Sequence, residues 1–354
     1  MDPGHGRRAA RAERRAAPRG QRLGHRRPHL PRRPLAPQGR FVPQPPPARL
    51  RPARQRLGRG GPGPVSALAS SRPRGERSFV HYLPPAGRRL AGRILPARAC
   101  LRPVVALHGL GSTHDDLLDV ARRTGAPTLL VDLPGFGASG PFPRGARLAE
   151  VAAELAELAR AQGFARALWW GCSFGGHLAL RVALDRPEQV TGLLLVSSGG
   201  LDPAPSPALA HAFREEHLAA RSPDRLAREL DALVGHPTAA TRAFAARRLR
   251  AHARGEAGYE GVARAAAAAL ADDLPRRLDE VRAPAVLVHG EEDPLVPLAH
   301  ARRAADLLGA PLQVLPGVGH LPWLEDPPAV AEALRSVAQP GARPLAPAGP
   351  RRSS

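Results

Sequence analysis

A serine between two closely spaced glycines constrains the fold of this chain more than any other feature. The serine is Ser173, in the stretch Gly-Cys-Ser-Phe-Gly at residues 171–175. An apolar run at 167–170 precedes it, and a run with helical spacing at 174–184 follows. When a strand passes directly into a helix, the turn is so sharp that only small residues fit two positions before and after its centre. The pattern therefore predicts a strand, a strained turn that exposes the Ser173 hydroxyl, and a helix.

Strand and helix patterns alternate along most of the chain. Strands are predicted at residues 78–83, 104–107, 128–131, 167–170, 192–196, 285–288 and 312–315, and several are unbroken apolar runs typical of buried parallel strands. Helices are predicted at residues 114–123, 148–161, 174–184, 298–308 and 329–337. This alternation predicts an α/β fold with a mostly parallel sheet and flanking helices.

The segment between residues 198 and 284 breaks the alternation, because it contains no convincing strand. It instead has helical patterns at residues 208–220, 224–234, 238–253 and 259–271. Ordinary connections in α/β folds take about 2–6 residues, so the segment is predicted to be an inserted helical cap, about 201–275. Its simplest location is over the carboxyl edge of the sheet, where open α/β sheets bind ligands.

The excess positive charge of the chain lies at its start. Residues 1–76 hold 19 arginines and three acids, whereas the whole 354-residue chain has a formal net charge of +21 and no lysine. A segment so poor in apolar residues cannot offset its ordering entropy. Residues 1–76 are therefore predicted to be a disordered Arg/Pro-rich tail, 77–338 the folded domain, and 339–354 a second disordered tail.

A nucleic-acid-binding arm is the alternative interpretation of the basic tail. Aromatic residues among the arginines would favour binding to single strands, but Phe41 is the only aromatic residue before Phe79. We therefore expect no specific nucleic-acid partner.

The sequence also predicts a compartment and the absence of bound groups. No signal-peptide pattern and no apolar run long enough for a membrane span occur, so a cytoplasmic location is expected. The chain has only two cysteines, Cys100 and Cys172, so the sequence does not indicate a disulfide framework. Residues 135–140 match a dinucleotide-binding glycine pattern, but Pro141 and Pro143 leave no room for the helix that such a site needs. No cofactor and no metal are expected.

Two later residues are candidates for activating Ser173. A serine hydroxyl becomes a good nucleophile when a histidine takes its proton and an acid orients the histidine. Asp293 follows the predicted strand 285–288, and His320 follows the predicted strand 312–315. The carboxyl ends of parallel strands share one edge of the sheet, so both are expected near Ser173. Glu291 and Glu292 are the alternative acids.

Backbone amides are the expected partners of an anion that forms when Ser173 attacks a carbonyl. One is the amide of Phe174, at the N-terminus of the predicted helix. The other is the amide of Leu110, in the loop after the predicted strand 104–107. Glycines at 109 and 111 allow that loop to approach a ligand closely.

Five motifs in this order resemble the α/β-hydrolase superfamily. They are His-Gly-Leu-Gly at 108–111, Asp-Leu-Pro-Gly-Phe-Gly-Ala-Ser at 132–139, the glycine-rich turn at 171–176, Gly-Glu-Glu-Asp-Pro-Leu-Val-Pro at 290–297 and Gly-His at 319–320. The resemblance covers about residues 78–338 and is to the single-cap kind, which includes esterases, lipases and carbon–carbon bond hydrolases. It implies Ser173 as nucleophile, Asp293 as acid and His320 as base. It counts against haloalkane dehalogenases and epoxide hydrolases, which use an aspartate where this chain has Ser173.

The expected reaction is hydrolysis of a carboxylic ester with a small to medium apolar acyl group, through an acyl-enzyme. The expected partner is a small ester-like molecule. Amide hydrolysis, carbon–carbon bond hydrolysis, acyl transfer to another alcohol and peroxyacid formation use the same triad and are alternatives. An alternative of a different class is a ligand-binding sensor that keeps a slow triad. The sequence makes no prediction of oligomeric state.

Overall fold

The computed structural model describes residues 75–84, 87–212, 222–253 and 259–341. The predicted tails at 1–76 and 339–354 therefore lie outside the described residues, except for residues 75–76 and 339–341. Glu76, at the boundary of the first, accepts hydrogen bonds from the Arg122 guanidinium at 3.0 and 3.1 Å. The glutamate therefore contacts the folded part of the chain.

Eight strands form one sheet. They are β1 (Arg77–Leu83), β2 (Arg88–Leu95), β3 (Val104–Leu107), β4 (Thr128–Asp132), β5 (Ala167–Cys172), β6 (Val190–Val196), β7 (Ala285–Gly290) and β8 (Leu312–Leu315). Their order across the sheet is β1-β2-β4-β3-β5-β6-β7-β8. β2 is antiparallel to β1 and β4, and every other neighbouring pair is parallel. The predicted mostly parallel sheet is confirmed.

The strand β2 is absent from the sequence-based prediction. Three arginines and Gly92 interrupt its apolar pattern, so the strand has no clear period. The glycine is needed because Gly92 pairs with Val131 in β4, and a Cβ at this position would collide with the carbonyl oxygen of Leu130. Close packing between strands, and not strand propensity, determines the residue type at this position.

Ten α-helices and four short 3-10 helices are present among the described residues. The α-helices are α1 (Leu118–Thr124), α2 (Leu148–Ala161), α3 (Phe174–Asp185), α4 (Pro207–Ala212), α5 (Pro223–Ala232), α6 (Ala239–Ala253), α7 (Tyr259–Leu270), α8 (Leu298–Leu308), α9 (Pro322–Glu325) and α10 (Pro327–Ala338). The 3-10 helices are His114–Leu117, Pro187–Gln189, Leu274–Arg276 and Leu278–Glu280. None of these helices combines the length and apolar character needed to cross a membrane.

The sheet is buried on both faces. Trp169 and Trp170 in β5 are adjacent, so their side chains point to opposite faces. Trp169 joins a buried cluster that includes Leu178 of α3, and Trp170 joins another that includes Leu334 of α10. Both tryptophans are fully buried. Two apolar layers therefore fix β5, the strand that ends at Ser173.

The segment 201–275, between β6 and β7, contains α4 to α7 and one 3-10 helix. Its described parts, 201–212, 222–253 and 259–275, contain no strand. The second half of the predicted helix at 208–220 lies outside the described residues. We refer to residues 201–275 as the helical segment.

Candidate active site

Ser173 lies at the turn between β5 and α3, with φ 51° and ψ −118°. A positive φ is uncommon for a residue with a side chain, and the surrounding structure must enforce it. A Cβ at Gly171 would collide with the backbone of Gly175, and one at Gly175 would collide with the carbonyl oxygen of Leu107. The two glycines therefore let the turn close, as the sequence pattern predicts.

The structure brings Ser173, His320 and Asp293 together in a chain of hydrogen bonds. The Nε2 atom of His320 lies 3.0 Å from the Ser173 Oγ atom, and its Nδ1 atom lies 2.8 Å from the Asp293 Oδ2 atom. The other oxygen of Asp293 accepts hydrogen bonds from the amides of Leu295 and Val296, each at 2.9 Å. The two amides fix the carboxylate, and the carboxylate orients the imidazole.

The alternative acids do not replace Asp293 in this geometry. Asp293 and His320 are buried, whereas Glu291 and Glu292 are exposed. Burial raises the pKa of Asp293, but the charge and hydrogen bond of His320 and the hydrogen bond from the Val296 amide outweigh it, so this pKa lies below its usual value. An acid of this kind is ionised at neutral pH and can stabilise a protonated imidazole.

A second histidine, His289, lies beside the same carboxylate. Its Nε2 atom is 3.5 Å from the Asp293 Oδ2 atom and 2.8 Å from the carbonyl oxygen of Val296. Burial lowers the pKa of His289, so the ring is neutral at pH 7 and donates its Nε2 proton to the Val296 carbonyl. His289 therefore supports the loop that holds Asp293.

The loop after β3 lies directly against Ser173. A Cβ at Gly109 would lie 3.1 Å from the Ser173 Cβ atom, closer than ordinary van der Waals contact, so a glycine favours this approach. His108 fixes the loop: its Nε2 atom accepts from the Leu133 amide at 3.0 Å, so its Nδ1 atom donates to the Gly109 carbonyl at 2.8 Å. No turn or loop hydrogen bond among the described residues uses the amide of Leu110 or Phe174.

Two cavities meet at Ser173. The large cavity has a volume of about 390 Å³, and the small cavity has a volume of about 120 Å³. Ser173 and Leu110 line both. The large cavity is also lined by Gly109, His320, Trp323, Leu230, Phe244 and Arg248. The small cavity is also lined by Phe174, His177, Gly199, Gly200, Leu209 and Ala269. The sheet edge and the helical segment each form one wall of both.

An ion pair links the helical segment to the 3-10 helix His114–Leu117, which follows the loop after β3. The Arg247 guanidinium on α6 donates a hydrogen bond to the Oδ1 atom of Asp116, whose side chain is buried. The second carboxylate oxygen of Asp116 accepts from the Ser112 hydroxyl at 2.6 Å. The neighbouring Arg248 lies over Gly111, where a Cβ would collide with its guanidinium.

Glu325 is a residue at this site that the sequence analysis missed. Its side chain is buried and follows Leu321, Trp323 and Leu324 in an apolar stretch. A buried charged group needs hydrogen-bond partners. A glutamate inside an apolar stretch is therefore the one sequence signal that could have indicated a role for Glu325. One carboxylate oxygen accepts from the amides of Gly235, His236 and Gly319, and the other accepts from the Leu321 amide.

The sequence also matches a known family. Residues 104–333, well over half of the chain, match the model of the alpha/beta hydrolase family. The chain belongs to this family. The predicted family and fold class are confirmed, and membership supports a hydrolase enzyme. The described residues contain no group of three or more His, Cys, Asp or Glu side chains that could hold a metal ion.

Relatives of this α/β hydrolase include a pimeloyl-[acyl-carrier protein] methyl ester esterase of Yersinia enterocolitica. It is 31% identical over 233 residues, which cover 59% of this chain and 82% of the esterase. The acetyltransferase component of an acetoin cleaving system of Pseudomonas putida is 30% identical over 230 residues. The match covers 63% of this chain but only 60% of that component.

Solved structures resemble the fold. A hydrolase from Pseudomonas aeruginosa PA01 superimposes with a TM-score of 0.63 at 22% identity, covering 73% of this chain and 97% of that one. A thermophilic esterase from Thermogutta terrifontis superimposes with a TM-score of 0.61 at 23% identity, covering 74% of this chain and all of that one. These likenesses establish the fold of the α/β hydrolase.

Proposed function

We propose that the protein hydrolyses carboxylic esters, with Ser173 as nucleophile, His320 as base and Asp293 as acid. The observation that carries the proposal is the unbroken hydrogen-bonded chain from the Ser173 hydroxyl through both nitrogens of His320 to Asp293, with steps of 3.0 and 2.8 Å. The esterase named among the relatives supports the same class of reaction.

The reaction follows from this geometry. The Oγ atom of Ser173 attacks the ester carbonyl carbon while the Nε2 atom of His320 takes its proton. The amides of Leu110 and Phe174 stabilise the resulting oxyanion. The bond to the alcohol oxygen then breaks, and His320 gives its proton to the departing alcohol. Water, activated by the same histidine, releases the acid from Ser173.

The substrate is a small molecule with a small to medium apolar acyl group. The two cavities at Ser173 fit a small ester as a whole. Apolar side chains such as Leu230, Phe244 and Trp323 form much of the large cavity, whose volume of about 390 Å³ lies in the usual range of small-molecule sites, and the small cavity adds about 120 Å³. We infer that the helical segment is the cap that covers this site. A cytoplasmic location stays a prediction from the sequence.

The deciding experiment is Ser173→Ala, measured by hydrolysis of p-nitrophenyl acetate and by labelling with a serine-reactive fluorophosphonate. Loss of the nucleophile is expected to lower kcat by roughly 10⁴-fold or more and to abolish labelling. Ser336→Ala, on the exposed side of α10, is the matched control and is expected to leave both unchanged. If Ser173→Ala keeps more than about a tenth of the wild-type turnover, Ser173 is not the nucleophile.

The same assay separates the alternative of a sensor. A protein that labels at Ser173 but releases no product from any ester would bind ligands without turning them over. Multiple turnovers of p-nitrophenyl acetate by the wild-type protein support a working hydrolase.

A further inference from the structure

The two cavities at Ser173 differ in two residues that matter for the reaction. His320 lines the large cavity and does not line the small one. Phe174, one of the proposed oxyanion donors, lines the small cavity and not the large one. Ser173 and Leu110 belong to both. The reacting carbon therefore lies where the cavities meet, with one substituent able to extend into each.

The chemistry decides which substituent enters which cavity. In the tetrahedral intermediate, the carbon bears the Ser173 oxygen, the oxyanion, the acyl chain and the alcohol oxygen. His320 must donate its Nε2 proton to the alcohol oxygen as the carbon–oxygen bond breaks. A proton moves only over hydrogen-bond distance, so the alcohol must leave on the side of His320. The acyl chain then points away from His320.

We propose that the large cavity binds the alcohol and the small cavity binds the acyl group, an inference that rests on the proposed ester hydrolysis. The substrates are then esters of short-chain carboxylic acids with larger alcohols. The bond that forms joins the short acyl group to Ser173, and the bond that breaks releases the larger alcohol with the proton from His320.

The small cavity has little freedom to expand. A Cβ at Gly200 would lie 2.7 Å from the His177 ring, so these residues already pack closely. The His177 ring is held in turn by Asp272, with 3.4 Å between Nε2 and Oδ1, and both side chains are buried. Because packed interiors resist extra volume, the acyl chain cannot extend on the His177 side of the small cavity, and this limits its length.

The first test uses the wild-type enzyme and two series of esters. In p-nitrophenyl esters, kcat/KM is expected to fall by at least about tenfold between butyrate and octanoate, since each poorly accommodated methylene is costly. The second series consists of acetates of alcohols with similar acidity. In this series, kcat/KM is expected to be higher for 2-phenylethyl acetate than for methyl acetate. The assignment of the cavities is overturned if kcat/KM is higher for the octanoate than for the butyrate and higher for methyl acetate than for 2-phenylethyl acetate.

The second test enlarges one matched side chain in each cavity. Ala269 on α7 lines the small cavity, and Ala208 on α4 lines the large cavity. Ala269→Leu is expected to lower the ratio of butyrate to acetate hydrolysis by about tenfold. Ala208→Leu is expected to lower the ratio of 2-phenylethyl to methyl acetate hydrolysis instead. Exchanged effects overturn the assignment, and the wild-type series still decides if either variant does not fold.

The outcomes separate this inference from the function on which it rests. If no ester is hydrolysed and Ser173 does not react with a fluorophosphonate, the proposed function fails and the inference fails with it. If esters are hydrolysed through Ser173 but long acyl chains with small alcohols are preferred, only the cavity assignment fails.

A second inference comes from the independent position of Glu325. Its carboxylate accepts from the amides of Gly319 and Leu321, the residues on either side of His320, each at 3.0 Å. It also accepts from the amides of Gly235 and His236 in the helical segment, at 2.9 and 2.8 Å. The His320 amide itself donates to the Leu233 carbonyl at 2.7 Å.

We propose that Glu325 is a positioning residue that holds His320 between Ser173 and Asp293. One charged group satisfies four amides from two segments about 90 residues apart in sequence. Hydrogen bonds to a charged acceptor are the stronger kind. The carboxylate therefore fixes the backbone of His320 and ties it to the helical segment.

The test compares Glu325→Gln with a change at the next residue. In Glu325→Gln, the side-chain NH₂ group is a donor and faces backbone N–H groups that are also donors, so the loop that carries His320 is expected to shift. As a result, kcat is expected to fall by about 10²-fold with little change in KM. Asp326 is the matched control, because its carboxylate caps the start of α10 by accepting from the Ala329 amide at 3.1 Å. Asp326→Ala is expected to lower Tm by a few degrees and leave kcat unchanged.

Rescue distinguishes positioning from general stability. Glu325→Asp keeps the charge and is expected to fold and to recover part of the lost kcat. The positioning role is wrong if the folded Glu325→Gln variant has the wild-type kcat. It is also wrong if the variant has a lower Tm and a higher KM but no specific decrease in kcat. If the glutamine variant does not fold, Glu325→Asp decides, because its shorter side chain draws the carboxylate away from the four amides. A wild-type kcat in this variant then overturns the proposal, and a reduced kcat with unchanged KM supports it.

Discussion

The sheet edge and the helical segment form opposite walls of the same cavities, but they are built differently. At the sheet edge, backbone groups hold the polar side chains, as the amides of Leu295 and Val296 hold Asp293. In the helical segment, six residues of α6 are exposed, seven are half-buried, and only Thr241 and Phe244 are buried. The sheet-edge wall is fixed by the main chain of buried strands, whereas the α6 part of the other wall is fixed by a few side chains.

This difference gives the two walls different roles: the sheet edge carries out the reaction, and the helical segment selects the substrate. Groups that transfer a proton must stay within hydrogen-bond distance through the reaction, and a buried sheet edge supplies that rigidity. Side chains that only enclose the substrate can change without loss of the reaction. We therefore expect substitutions at the sheet edge to remove activity and substitutions in the helical segment to alter substrate preference.

The largest expected effect concerns the acid at the sheet edge. Asp293→Asn removes the charge that orients His320 and is expected to lower kcat by roughly 10³–10⁴-fold. The matched control is Glu292→Gln, the same kind of change at the exposed residue before it, which is expected to leave kcat within about twofold. Steady-state kinetics with p-nitrophenyl acetate measures both. Should Glu292→Gln prove the damaging change, Asp293 is not the acid.

The next effect concerns stability in acid. Burial raises the pKa of Asp132, but the hydrogen bonds and charge of His114 outweigh it, so this pKa lies below its usual value. A carboxylate with a lowered pKa stabilises the fold above its ordinary pKa, and this stability is lost as the pH falls through the folded-state pKa. Thermal unfolding is therefore expected to show Tm falling as the pH drops below about 4.

Asp132→Asn sharpens the comparison between the walls. It is expected to lower Tm at pH 7 by roughly 4–8 °C and to flatten the acid dependence, because its carboxylate is buried and accepts from the His114 and Ala138 amides. Asp273→Asn, in the helical segment, is the comparison, because that carboxylate is half exposed in its pair with Arg181 and exposed pairs contribute little. An equal loss of Tm in the two variants would contradict the distinction.

A smaller effect is expected where the walls are joined. Arg247→Gln removes the ion pair between α6 and Asp116, and Tm is expected to fall by about 1–3 °C because the arginine is partly exposed. The ratio of 2-phenylethyl to methyl acetate hydrolysis is expected to change by more than twofold. Arg242→Gln, the same change at an exposed position of α6, is the control. If the two variants are indistinguishable, the link does not shape the large cavity.

The smallest effect is expected from deleting residues 1–74. They hold 19 arginines and two acids, so the deletion lowers the formal net charge from +21 to +4. The variant keeps Glu76 and its contact with Arg122. Tm and ester hydrolysis are expected to be unchanged, while salt-sensitive binding to DNA is expected to disappear, since arginine–phosphate contacts depend on released counterions. Loss of folding on deletion would show that the segment is structural.

Local sequence patterns were enough for much of the fold. The helices α2 and α8 have the predicted bounds, because their apolar residues recur at helical spacing and pack on the buried sheet. The strands β3 and β8 also match, since short apolar runs between turn residues leave few alternatives. The order of the motifs, together with the rule that parallel strands share their carboxyl edge, predicted that Ser173, Asp293 and His320 would lie close together.

Only the tertiary structure decided the features that depend on distant segments. The strand β2 was missed because its residue types are determined by packing against the neighbouring strands β1 and β4, so its sequence shows no alternation of apolar and polar residues. Glu325 was missed because its partners come from residues 235–236 as well as from its own loop. The division into a large and a small cavity likewise arises where helices and sheet edge meet. Sequence determines local conformation through short-range sterics and periodic burial, whereas cavities and buried charge networks exist only once separate segments pack together.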